Sequence, residues 1–137
     1  MSYGMTAALQ TAVYAALAGD AVLDGLVGGA IYDALPPGPV PPIYVSLGPE
    51  RVRDRSDKTG DGALHDFSVT VFSEQAGFQT AKEVAARVSD ILDRAELTLA
   101  RGRLSGLLFT RARARRTTGG REIEIWFRAH VDDAAPV

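Results

Sequence analysis

The chain has 137 residues, 46% hydrophobic and 23% charged, with a formal net charge of −2 and an isoelectric point near 5.6. That composition fits a single packed domain spanning 1–137 and excludes a disordered chain; slight acidity also argues against a general DNA-binding domain, which is usually basic. Cysteine is absent, which excludes a disulfide framework and thiolate chemistry, and no apolar run reaches the ~20 residues of a membrane helix.

At the N-terminus, Met5, Ala8, Leu9, Ala12, Val13, Ala16 and Leu17 recur at spacings of three and four, the stripe of an amphipathic helix over residues 4–17. This segment lacks a basic n-region and carries Gln10 and Tyr14, so it reads as a helix of the domain and not as a signal peptide. Gly19 is a stop, Asp20 an N-cap for a short helix through Ala21–Leu26, and Gly28-Gly29 its end. Ile31-Tyr32 has the composition of a minimal strand. Prolines 36, 37, 39, 41, 42 and 49 then forbid helix and favour an extended connection. Between the last two of them, Ile43–Leu47 is rich in β-formers and predicts a strand, with the prolines placing it at an edge or marking its ends. Residues 50–64 are charged and glycine-punctuated and predict a long exposed loop that orders on a partner, with Arg51, Arg53, Asp54, Arg55, Asp57 and Lys58 as its contact residues.

"HDFSVTVFSE" alternates as a strand with one face in the core. After Gly77, Ala81, Val84, Ala85, Val88, Ile91, Leu92 and Ala95 share one face of a long helix. From Leu104 to Val131 two alternating runs flank Gly119-Gly120, the signature of a β-hairpin. With the two glycines as the loop, Arg115 stands opposite Glu124; a four-residue loop sets it opposite Glu122 without changing which side chains share a face. The sum is an α+β domain: a mainly antiparallel four-stranded sheet, an N-terminal helix and one long helix on one face, and a long polar loop between the first two strands.

The hairpin carries the densest chemistry. Leu108, Ala112, Ala114, Ile125, Phe127, Ala129 and Val131 form its core face, and Arg111, Arg113, Arg115, Glu122, Glu124, Trp126, Arg128 and His130 its other face. An exposed ion-pair ladder is the simplest account. A tryptophan among charges on an outer sheet face favours a second one, contact with another protein chain, because Trp and Arg are enriched at interface hot spots. A third has unpaired arginines meeting nucleic-acid phosphates: Arg111, Arg113 and Arg128 lack an acidic neighbour in this register, and Arg111 and Arg113 are the candidate contacts.

No catalytic constellation is found. His65 and His130 stand apart and lack metal-ligand spacing, neither "DGLVGG" nor "KTGDGA" has a phosphate-loop pattern, "DRSDKTGDG" lacks the terminal Glu of a calcium loop, and no serine sits in G-x-S-x-G. No cofactor or metal is expected.

The order of features resembles the tail completion or tail terminator proteins of long-tailed phages and gene transfer agents, from about Leu9 to Val131. The resemblance rests on "IYDALPP", "PPIYVSLGP", the polar segment, "VFSEQAGFQTAKEVAARVSDILD" and the closing "IWFRAHVD". Most weight falls on a strand ending in Ser73, a turn with Gly77, and a long helix ending in Leu92-Asp93. The resemblance implies a structural, non-enzymatic protein. Its expected form is a ring, hexameric, at the head-proximal end of the tail tube, ending polymerisation and meeting the neck stopper or connector. It implies a homo-oligomer with tail tube and stopper proteins as partners and no membrane, and DNA passing through the channel without sequence-specific contacts. It also implies assembly in the bacterial cytoplasm and residence at the tail–neck junction of the particle. Whether that particle is a phage or a gene transfer agent stays open.

Overall fold

The computed structural model describes residues 3–55 and 62–133. In chain order these form helices α1 (Thr6–Ala18) and α2 (Ala21–Val27), strands β1 (Ile31–Tyr32), β2 (Ile43–Asp54) and β3 (Gly62–Ser73), helix α3 (Gln79–Leu92), and strands β4 (Arg103–Thr117) and β5 (Gly120–Asp132). The domain is α+β as expected, but its sheet has five strands in the order β1-β2-β3-β5-β4 and is mixed, not four-stranded and antiparallel. The addition is the Ile31–Tyr32 pair, which runs parallel to β2 through Ile31↔Val45 and Tyr32↔Ser46. Two residues are too few to show alternation; pairing to β2 is what makes them a strand.

The helices cover one face of the sheet. Leu9, Val13 and Leu17 of α1, Leu23 and Val27 of α2, and Ala81, Val84, Val88 and Leu92 of α3 are buried on Val45, Phe67, Val69, Val71, Ile123, Ile125 and Phe127. Asp20 caps α2 as expected, accepting from Leu23 N–H at 2.9 Å, and its carboxylate also takes both bonds of Arg87 from α3, at 2.9 and 2.6 Å. The Arg87 hydrogen bond first, and the Leu23 amide second, lower its pKa to about 2. The prolines neither place the strand at an edge nor bound it at both ends: β2 lies between β1 and β3, and Pro49 falls inside it, in the register break between Leu47 and Glu50.

That break overturns the expected loop over 50–64. β2 runs through it to Asp54 and β3 begins at Gly62, so Glu50↔Phe67, Arg51↔Asp66, Val52↔His65, Arg53↔Leu64 and Asp54↔Ala63 are ladder pairs. Arg55 N–H closes the described part by donating to Gly62 O at 2.8 Å. Polarity misled because an antiparallel sheet can face water on one side, where charged side chains are at home. Asp57 and Lys58 lie outside the described residues.

A second correction concerns β4. Its register with β5 shifts between Phe109 and Arg111, around Thr110, so residues before and after this point present opposite parities to the helices. Leu107 is therefore the buried residue, opposite Ala129, while Leu108, expected in the core, stands opposite Arg128 and is 45% exposed. Ala112 and Ala114 do pair with Ile125 and Ile123, yet both are exposed, because β4 is the sheet edge and no helix reaches that far.

Candidate interaction face

The face of the sheet away from the helices is where the arginine row lies, and register builds it row by row. Tyr44, Phe72, Glu122 and Arg115 form one row across four strands; Ser46, Thr70, Glu124 and Arg113 the next. Ser68, Trp126 and Arg111 follow beside the β2 break, then Arg51, Asp66, Arg128 and Leu108. All seven expected interface residues, Arg111, Arg113, Arg115, Glu122, Glu124, Trp126 and Arg128, thus share one face. The hairpin closes through Thr117↔Gly120 around the two residues Thr118-Gly119, not around the two glycines, and this sets Arg115 opposite Glu122. Its second turn position, Gly119, takes φ 91°, which a residue with a Cβ adopts only with strain. Gly120 is required for a different reason: a Cβ there would collide with the Ser73 carbonyl oxygen.

The charges on this face are partly paired. Arg115 donates twice to Glu122 Oε1, at 3.2 and 2.9 Å. Arg128, for which the sequence offered no acid, finds Asp66 across the ladder, with Nε 2.8 Å from Oδ1, and this bond raises its pKa. That partner lies 62 residues away and becomes visible only through strand order. Arg111 stacks on Trp126, its guanidinium 5.1 Å from the ring centroid, while Trp126 Nε1–H donates to Glu124 Oε1 at 2.7 Å. Arg121 donates to the Ala76 carbonyl and lies 5.4 Å over the Phe78 ring, tying the hairpin to the turn before α3. Among the described residues, Arg113 and Arg116 have no carboxylate within ion-pair distance.

Sequence reasoning missed the contribution of β2 and β3. Arg51, Asp66, Arg111, Trp126 and Arg128 surround an open polar depression. Tyr32, Tyr44 and Phe72 form an aromatic cluster at the opposite end, with centroids 6.3 and 5.1 Å apart. Burial first, and the nearby Glu122 carboxylate second, raise the Tyr44 pKa. The alternation of β3 was legible, and its polar positions Asp66, Ser68 and Thr70 were the available signal.

The histidines take no part in a reactive arrangement. His65 and Asp66 point to opposite faces as expected. His65 is fully buried on the helix side, 3.9 Å from Glu50, and neither ring nitrogen has a hydrogen-bond partner. His130 Nδ1 lies 3.1 Å from Arg55 Nη1. Among the described residues no group of three or more His, Cys, Asp or Glu is placed to hold a metal ion, and no single helix is long and apolar enough to cross a membrane.

Comparison with known proteins identifies the family. Residues 11–132 match the family profile described as tail completion protein gp17. A chain in the solved structure described as "Virion of native gene transfer agent (GTA) particle" is 58% identical, with 96% of this chain and 99% of that one covered and a TM-score of 0.91. No curated protein matches. The chain belongs to the tail completion protein gp17 family and is a structural tail protein, not an enzyme.

Proposed function

We propose that this chain is a tail terminator of a virion-like particle, forming a hexameric ring on the head-proximal end of the tail tube. There it stops tube polymerisation and presents a surface to the neck stopper or connector. The observation carrying this reading is the 58% identity, over nearly the full length of both chains, to a chain of a gene transfer agent virion. A tail–neck position and cytoplasmic assembly belong to the same reading.

The fold supports it in two ways. One whole face of the sheet is left without helices, and half-buried Trp126 stands at its centre among charges. The charged hairpin formed by the end of β2 and the start of β3 also projects candidate contacts, Arg51, Arg53, Asp54 and Arg55, for the tube or stopper protein. A closed ring needs two different surfaces on each subunit, and a connector needs more.

Deleting the chain from a particle-producing cell is expected to yield overlong tubes without joined heads, scored by electron microscopy. Tubes of normal length on joined heads would overturn the proposal. Trp126→Ala and Arg113→Glu are expected to impair incorporation into particles while the purified chains keep their circular dichroism and melting curves. A second reading, a phosphate-binding face, is favoured by one observation: among the described residues no carboxylate lies within ion-pair distance of Arg113, although Glu124 stands opposite it, and Arg111 lies beside it on the same face. DNA retention by the purified chain that falls steeply with salt would support it.

A further inference from the structure

The two edges of the sheet differ in a way that names a partner for each. β4 forms one edge. Its outer side is clamped only at the near end, where Arg94 N–H donates to Leu107 O at 2.7 Å and Phe109 N–H to Asp93 Oδ1 at 2.9 Å. Beyond Phe109 no described element pairs with it. This open half carries Phe109, 43% exposed, then exposed Ala112, Ala114 and Arg116 on the helix side. It is an apolar strip ending in Arg116, a cation with no carboxylate within ion-pair distance among the described residues.

At the opposite edge lies β1, four strand spacings or roughly 19 Å away. Near it α2 packs over β2, the strand beside β1, and against α1 and α3. Val22 and Leu26, one turn apart, are 55% and 38% exposed there. Between Leu26 and Asp24 sits Gly25, a helix-weakening residue whose missing Cβ would meet nothing within 4 Å in this chain. Its flatness serves no contact inside the fold. Charge also differs between the two sides: residues 109–130 hold six arginines and two glutamates, a formal +4, whereas residues 20–33, which contain α2 and β1, hold three aspartates and no lysine or arginine, a formal −3.

We infer that the open half of β4 in one copy docks on the outward face of α2 in a second copy. The inference rests on the ring proposed above and assigns its lateral contact. A second copy is the occupant because two unlike apolar patches, on opposite edges of one sheet and of opposite surrounding charge, are what a head-to-tail ring contact requires. Phe109 and Ala114 meet Val22, Leu26 and the flat Gly25, and Arg116 faces the acidic side that includes Asp24.

The absence of cysteine makes the test clean. Val22→Cys and Ala114→Cys, both at exposed positions, are introduced singly and together, and purified particles are treated with a short bismaleimide. The double variant is expected to give a ladder of cross-linked chains that stops at the ring size. Each single variant is expected to give none. A ring visible by electron microscopy without the ladder would overturn this contact and leave the ring proposal standing; particles with no ring would overturn both. Self-cross-linking of Ala114→Cys alone would show a symmetric contact and also overturn it. Gly25→Arg is expected to lower the cross-linked fraction roughly tenfold or more, as a blocked hot spot does, while the purified chain melts no lower than the native one. Salt-dependent DNA retention lost in Arg116→Glu, with the ladder absent, would assign the arm to phosphate instead.

Discussion

β4 and β5 are neighbours in the sheet, pair along most of their length and alternate almost identically in sequence, yet they live in different surroundings. In β5 every second residue, from Ile123 through Ile125, Phe127 and Ala129 to Val131, is buried. In β4 only Leu107 is. Alternation states which residues share a face; position in the sheet states whether anything covers that face. β5 lies between β3 and β4 beneath α3, whereas β4 is an edge whose far half outruns the helices.

The sharpest way to break this comparison is to truncate on both strands. Phe127→Ala, at a fully buried ring stacked on Phe67 and edge-on to Phe109, is expected to cost about 3–5 kcal/mol in denaturant unfolding. Ala114→Ser, on the same side of the next strand, is expected to stay within about 0.5 kcal/mol. Similar losses at the two sites would show that the β4 strip is covered. Next comes the register shift at Thr110. Leu107→Ala is expected to cost about 3 kcal/mol and Leu108→Ala under about 0.5, although the two leucines are adjacent. A reversed order would place Leu108 in the core.

A smaller effect, of opposite sign, is expected on the covered face at β3. His65 pays for burial with two unpartnered ring nitrogens, so His65→Leu is expected to raise unfolding stability by about 1 kcal/mol. A destabilised variant would mean that the imidazole has a hydrogen-bonding role. The smallest effect concerns the helix layer. Asp20 has a folded-state pKa below its ordinary 3.8, at about 2, so its stabilisation is full at neutral pH and is lost as pH falls through 4 towards 2. The melting-temperature gap between the native chain and Asp20→Asn is expected to close over that window; a gap constant with pH would remove the Arg87 pairing from the account.

Much of the fold was legible locally. The stripe of α3 needs only its own residues, the cap at Asp20 needs only the backbone three residues on, and the two glycines mark the hairpin without knowledge of what surrounds it. The grouping of the seven hairpin side chains on one face was legible too, since the two-residue and the four-residue loop keep the same side chains together. What was lost lies where long-range pairing decides. Val52 and its charged neighbours read as loop because their ladder partners begin nine or more residues on, and Arg128 read as unpaired because Asp66 arrives only through strand order.

The amino-acid sequence by itself determined the helices, the hairpin, the absence of a catalytic motif and the sidedness of the arginines, because each depends on spacing along one segment. Tertiary structure alone decided that β1 joins the sheet in parallel, that Thr110 turns Leu108 outward and Leu107 inward, and that β4 ends as an uncovered edge. Those outcomes depend on which strands become neighbours and how far the helices reach. Such neighbours are chosen by burying the whole apolar surface at once, and no single stretch of chain carries that information.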